Sequence, residues 1–169
     1  MVKIGVLPDT HAYLHPKVFD FFASCDEIWH CGDIGSSEVL EQLTSFKPLR
    51  AVYGNIDGQD IRNTCNEKEI FSIEETKVCM THIGGYPPRY NPTSLQLIKT
   101  HKPTIFVCGH SHILRVMYDA TYKLLYINPG AAGMQGFHNL ITFIRFDIIN
   151  NTPSAMEIFQ TEKNKNITY

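Results

Sequence analysis

Hydrophobic residues along the chain fall in short, often β-branched runs, each closed by a turn signal or a polar cluster. Val2–Leu7, Glu27–His30, Leu49–Tyr53, Lys77–Met80 and Thr104–Cys108 are four to six residues long and bounded by Gly, Pro or Asp, which predicts buried strands. Between the early runs the apolar spacing becomes helical. Pro16–Ser24 reads as a helix with Pro near its opening turn, and Ser37–Phe46 as another with Ser36 as its cap. Thr93–His101, after Asn91-Pro92, is a third. Alternating strands and helices imply βαβ units and parallel pairing in the first half. From Glu69 onward strands prevail, over 69–75, 77–82, 113–119, 123–127, 140–148 and 155–160. The alternation in Ile141-Thr142-Phe143-Ile144-Arg145-Phe146 predicts an antiparallel strand with one covered face. One domain over residues 1–160 is expected, with no repeat or linker, followed by a solvated polar tail over 161–169.

Composition narrows the class. A chain of 169 residues buries about 70% of its unfolded surface, enough for a core without staples. Fifteen basic against 17 acidic residues give a net charge of −2, so no basic stripe for nucleic acid is expected. No apolar run approaches ~18 residues and VKIGVL is too short for a signal peptide, which predicts a cytoplasmic protein away from membranes. The five cysteines are odd in number and form no CxxC pair, so they read as reduced thiols.

The eight histidines carry the chemistry. Each apolar run leads into a polar cluster: VKIGVL into Pro8-Asp9-Thr10-His11, EIWHC into Gly32-Asp33, LRAVY into Gly54-Asn55, KVCMT into His82, and TIFVC into Gly109-His110-Ser111-His112. Ligands of open α/β sheets bind beyond the carboxyl ends of strands, so these donors are predicted to share one rim. Glycine before Asp33, Asn55 and His110 permits sharp exits and close backbone approach. Asp-x-His and His-x-His place two donors on the same side of an extended segment. Seven donors exceed one tetrahedral zinc site, whereas two ions ~3.5–4 Å apart, bridged by a carboxylate, would use them and suit displacement at phosphorus through hydroxide formed from a bridging water. Mixed imidazole and oxygen donors favour Mn, Zn, Fe or Ni over Mg or Ca. His15, His30, His101 and His138 lack the pattern and read as structural or surface residues.

Other chemistries fail. Neither GxxxxGK[ST] nor GxGxxG is present. His30-Cys31 opens like a thiol-phosphatase loop, but Ser37 stands where that loop needs Arg, so Cys31 reads as a buried thiol. Ser111 lies in no GxSxG elbow.

Asp9-x-His11, Gly32-Asp33, Gly54-Asn55, His82 and Gly109-His110-x-His112 resemble, in order, the five motifs of the calcineurin-like metallophosphoesterases. The short chain and Asn128-Pro129-Gly130 resemble the small bacterial phosphodiesterase branch, over roughly residues 1–160. The resemblance implies an α/β fold of two mixed β-sheets packed face to face and flanked by helices. It implies two divalent ions, Mn first with Zn, Ni or Fe as alternatives: Asp9, His11 and His112 on one, Asn55, His82 and His110 on the other, and Asp33 bridging. Asp33, Asn55 and His110 are assigned to catalysis, with Asn55 also reaching the phosphate, and Asp57 to orienting a neighbour. The implied substrate is a small phosphodiester; a homo-oligomer is left open. Four departures stand out. Many relatives have His where Ile56 stands; Pro8 and Ala12 replace the more usual small or acidic residue and Gly. The segment after His82, residues 83–90, carries Arg89, Tyr86 and Tyr90, either to cover the site or as a plain solvent loop. The alternative function is a non-catalytic metal-binding scaffold of the same fold acting through protein partners, as in a eukaryotic retromer subunit. Nucleic-acid binding would need the basic patch this chain lacks.

Overall fold

The computed structural model describes residues 1–163. The first five apolar runs all form strands: β1 (Val2–Leu7), β2 (Glu27–His30), β3 (Leu49–Ala51), β5 (Thr76–Thr81) and β8 (Ile105–Val107). β1, β2 and β3 pair in parallel, and so do β5 and β8. Helices α1 (Lys17–Phe22) and α2 (Ser37–Phe46) supply the crossovers of the first half, and α4 (Pro92–His101) the later one. The N-cap of α4 is Asn91, whose side chain accepts from the Thr93 amide.

Two sheets result. The first has the order β12-β11-β1-β2-β3, where β11 (Leu140–Ile149) and β12 (Thr152–Glu162) are antiparallel additions beside β1. The second has the order β4-β5-β8-β10-β9, with β4 (Lys68–Ile73), β9 (Leu114–Asp119) and β10 (Leu124–Pro129). Both sheets are mixed, as the resemblance implies. Ile4, Val6, Trp29, Ile144 and Phe146 from one sheet meet Val78, Met80, Ile105, Val107 and Ile127 from the other in a buried core. The opposite face of the first sheet is covered by α1 and α2 through Leu7, Phe22, Ile28, Leu43 and Phe143. The opposite face of the second is covered by α4 through Leu97, Ile98, Phe106 and Tyr126. Gly5 matters here, because a Cβ on it would lie 2.7 Å from the Phe22 ring.

The structure departs from the expectations at several places. β11 is covered on both faces, not one: Ile144, Phe146 and Ile148 point into the core between the sheets while Ile141 and Phe143 pack under the helices. It returns to an interior position of the first sheet, between β12 and β1, where apolar residues are needed on both sides. β12 runs to Glu162, two residues into the expected tail, because Leu140 pairs with Glu162; residues 164–169 of that tail lie outside the described residues. A short helix α3 (Gln59–Thr64) forms in a stretch the sequence assigned to no element, and a hairpin of β6 (Gly85–Tyr86) and β7 (Arg89–Tyr90) forms within the 83–90 segment. Neither has enough apolar periodicity to be read locally.

Candidate metal centre

All seven predicted donors leave the carboxyl ends of parallel strands: Asp9 after β1, Asp33 after β2, Asn55 after β3, His82 after β5, and His110 and His112 after β8. The structure brings them together as two adjoining groups. Asp9, His11 and His112 have ligand atoms within 4.8 Å of one another, and so do Asp33, His82 and His110. Asn55 joins the second group, its Oδ1 3.1 Å from His82 Nε2. Asp33 faces both: Oδ2 lies 3.8 Å from His11 Nε2, while Oδ1 lies 3.2 Å from His82 Nε2.

The backbone is strained to achieve this. Asp9, His11, Asp33, His110 and His112 have φ between 48° and 67°, a region costing such residues of order 1–3 kcal/mol each. The turns are held by main-chain bonds: the amides of Asp9, His11 and Ala12 donate to the carbonyls of Gly32, Asp33 and Ile34 at 3.0, 3.0 and 2.8 Å. The His110 amide donates to Asp9 Oδ2 at 3.0 Å. The motif glycines are there for close approach. A Cβ on Gly54 would collide with the Asp33 carboxylate, and one on Gly109 would lie 2.8 Å from Asp9 Oδ2.

Groups outside the donor set lock the loops. Asp57 accepts the amides of Ile34, Gly35 and Gly54 at 3.2, 2.8 and 2.7 Å, tying the Asp33 turn to the Asn55 turn. This is the orienting role implied by the resemblance. Arg62 of α3 braces the same turn through the carbonyls of Asp57 and Gly54 and lies 4.3 Å over the Tyr53 ring. The Thr10 hydroxyl donates to the Ile34 carbonyl and therefore accepts from His30 Nε2 at 2.9 Å; His30 Nδ1 accepts the Gly32 amide. Burial pushes the pKa of His30 down to about 3, so this ring is a neutral brace, consistent with its structural reading. Asn128 donates to the Gly109 carbonyl and to Ser111 Oγ, holding the His110-x-His112 turn.

The donor chemistry fits divalent cations. Asp9 Oδ1 and His11 Nε2 are buried with no hydrogen-bond partner. His82 Nδ1 meets the Cys31 carbonyl at 2.8 Å and must donate to it. In the neutral ring the Nε2 lone pair then faces Asn55 Oδ1, Asp33 Oδ1 and, at 4.0 Å, Asp9 Oδ1. Acceptors converging on a lone pair repel unless a cation lies among them. Among the described residues no Lys or Arg nitrogen forms an ion pair with either buried carboxylate, and burying two such charges uncompensated is costly. The titration of the cluster shows the same demand for positive charge. Burial alone would lower the pKa of His82, yet Asp33 and Asp9 outweigh it and raise it. Burial would likewise raise Asp33, but His82 and the Ile56 amide hold it below the usual carboxylate value.

Around the rim, Ile56 is 47% exposed and its amide donates to Asp33 Oδ1 at 3.1 Å. A groove of about 280 Å³, lined by Tyr53, Asn55, Glu67, His82 and Asn91, opens beside the second group. Within residues 83–90 the two tyrosines diverge: Tyr86 is partly exposed with the Arg115 guanidinium 4.2 Å over its ring, while Tyr90 is buried and donates to Asp119 at 2.7 Å. Tyr90 is therefore not available to a substrate. Cys31 is fully buried and burial raises its pKa well above the ordinary value, as a buried thiol requires. His15 caps the start of α1 through the Lys17 amide and packs on Phe143 and Phe159. His101 ends α4. His138, read from the sequence as structural or surface, lies beside the donor set: its Nδ1 is 3.1 Å from His112 Nδ1. No spacing rule links positions 26 apart, so only the folded chain reveals that pair.

A facing pair of mixed sheets with an Asp/His/Asn cluster at the strand ends defines a framework able to hold metal ions. Residues 2–151 match the calcineurin-like phosphoesterase superfamily domain, and the chain belongs to that family, whose members hydrolyse phosphoric esters with divalent metals. A probable metallophosphoesterase of Methanocaldococcus jannaschii is 34% identical over 134 residues, covering 76% of this chain and 67% of the relative. Among solved structures, a novel archaeal phosphodiesterase superposes with a TM-score of 0.73 at 23% identity, covering 93% of this chain and 99% of that one. The zinc complex of vacuolar protein sorting protein 29 from Entamoeba histolytica does so with a TM-score of 0.70 at 19% identity, covering 96% and 99%. These two likenesses establish the shared fold. No helix among the described residues is long and apolar enough to cross a membrane.

Proposed function

We propose that the protein is a phosphodiesterase that hydrolyses small phosphodiesters using two divalent ions, with Asp9, His11 and His112 holding one, Asn55, His82 and His110 the other, and Asp33 shared. The observation that carries this reading is Asp33, whose two oxygens turn toward different groups. Bound ions, Mn or else Zn, Ni or Fe, would polarise phosphoryl oxygens and provide a nucleophile from water at neutral pH. The chain's own part is positioning. Asn55 extends an amide at the mouth of the groove, where its nitrogen is free to donate to a phosphoryl oxygen while Oδ1 faces His82. His110 is exposed, and burial of its inner face together with the nearby His82 lowers its pKa, so it offers a neutral ring at pH 7. No imidazole follows Asn55; Ile56 cannot protonate a departing alkoxide, which favours leaving groups that are already acidic. The test is metal content after reconstitution with Mn²⁺, followed by turnover of an aryl phosphodiester, an aryl monoester and cyclic nucleotides. Two ions per chain with the diester preferred are expected. Two ions without turnover of any ester would favour the scaffold reading, and fewer than two ions would overturn the shared site.

A further inference from the structure

His138 is 26 residues from His112 and lies outside every motif, yet the two rings meet. His138 Nε2 lies 3.0 Å from the Gly133 carbonyl, and its Nδ1 lies 3.1 Å from His112 Nδ1. A carbonyl can only accept, so Nε2 of His138 carries the proton. In a neutral ring Nδ1 is then an acceptor, and the bond between the rings requires His112 to donate from its own Nδ1. The proton on His112 is thereby fixed away from the cluster. Its Nε2 is left with a lone pair, and that atom is the one 3.2 Å from Asp9 Oδ1, which itself has no hydrogen-bond partner.

The loop is built for this contact. Gly136 has φ +106°, and a Cβ there would collide with His112 Nδ1 and come within 3.2 Å of His138 Nδ1. Gly133, whose carbonyl anchors His138, donates its amide to the Asp9 carbonyl at 3.0 Å. The chain Asp9–Gly133–His138–His112 therefore closes on the same donor group from both ends. Metal-binding imidazoles generally donate their other N–H to a carboxylate, carbonyl or water, which sets the tautomer and raises ligand basicity.

We propose that His138 is a positioning residue that accepts the Nδ1 proton of His112 and so commits His112 Nε2 to the metal held with Asp9 and His11. The inference rests on the metal reading above, and two measurements separate their fates. The first is the tautomer of His112 in metal-free protein at pH 7.5, read by long-range ¹H–¹⁵N correlation spectra of the full chain. The Nδ1–H form is expected in the parent, and its loss is expected in His138→Phe, which keeps a ring and removes both nitrogens. The second is Mn²⁺ affinity by competition with a chelating dye, with elemental analysis of the loaded protein. His138→Phe should weaken one of the two ions ~10–100-fold. His138→Asn should recover most of that loss, because its Oδ1 stands near the position of Nδ1 and accepts the same proton. A parent in the Nε2–H form, or a His138→Phe protein binding both ions with parental affinity, would overturn the proposal. So would weakening that His138→Asn shares in full, since the ring would then act by packing alone. A parent that binds no ion would sink the metal reading, while the tautomer measurement would still decide the role of His138.

Discussion

Replacing Asp33 with Asn is the sharpest perturbation of the centre, because the amide keeps the shape and removes one acceptor and one charge. Asp33 Oδ1 accepts the Ile56 amide at 3.1 Å and lies 3.2 Å from His82 Nε2. The Asn oxygen will take that side, since the alternative sets two donors against each other. The amide nitrogen then replaces Oδ2, which lies 3.8 Å from His11 Nε2, so the group with Asp9 loses an acceptor oxygen and gains two N–H donors. One of the two buried carboxylates that would balance bound cations is gone as well. Loss of a preorganised electrostatic contact is worth about 10²–10³ in turnover, equivalent to ~2.7–4 kcal/mol of transition-state stabilisation. A fall of at least ~10² in kcat/KM on an aryl phosphodiester is therefore expected for Asp33→Asn, with fewer than two Mn²⁺ per chain by elemental analysis. Circular dichroism should remain parental, because the Ile56 bond survives. Near-parental turnover with two ions retained would refute the sharing of Asp33 between the groups.

Asp57→Asn should lower stability by ~2–4 kcal/mol in urea unfolding: both carboxylate oxygens accept backbone amides, those of Ile34 and Gly54 buried, so any amide orientation sets donor against donor. A change under 0.5 kcal/mol would show that the two turns are not tied there. His30 has a folded pKa of about 3 and an ordinary value of 6.5, so between these pH values the unfolded chain binds more protons and stability falls on acidification, by up to about 1.4 kcal/mol per pH unit. His30→Gln should flatten that slope in metal-free protein between pH 6.5 and 4.5; parallel slopes in parent and variant would count against a buried neutral ring. Ile56→His should raise activity modestly on alkyl phosphodiesters and less on nitrophenyl ones, because the exposed side chain has room at the rim but no bonds to orient it. A parent whose chemical step is insensitive to leaving-group pKa would show that another acid already serves.

Much of this molecule is decided locally. The strands β1, β2, β5 and β8 are apolar runs buried on both faces, and such runs announce themselves whatever surrounds them. The donors after them are equally legible, because parallel strands must deliver their exits to one edge and the glycines before Asp33, Asn55 and His110 permit the close approach the structure shows. Other features exist only in three dimensions. α3 has a single buried apolar residue, Ile61, and owes its place to Arg62 gripping the carbonyls of Gly54 and Asp57. β11 is covered on both sides because it returns from far along the chain to lie beside β1, and no local alternation reports which sheet a strand will join. Tyr90 is withdrawn from the rim by Asp119, 29 residues away. His138 reaches His112 through a loop that must pass glycine against an imidazole. Periodicity and turn chemistry act over a few residues, so the sequence alone marks elements and the donors at their ends. Which side chains brace those donors, and which nitrogen of a ring is left for a metal, depends on hydrogen bonds between segments that only the tertiary fold brings together.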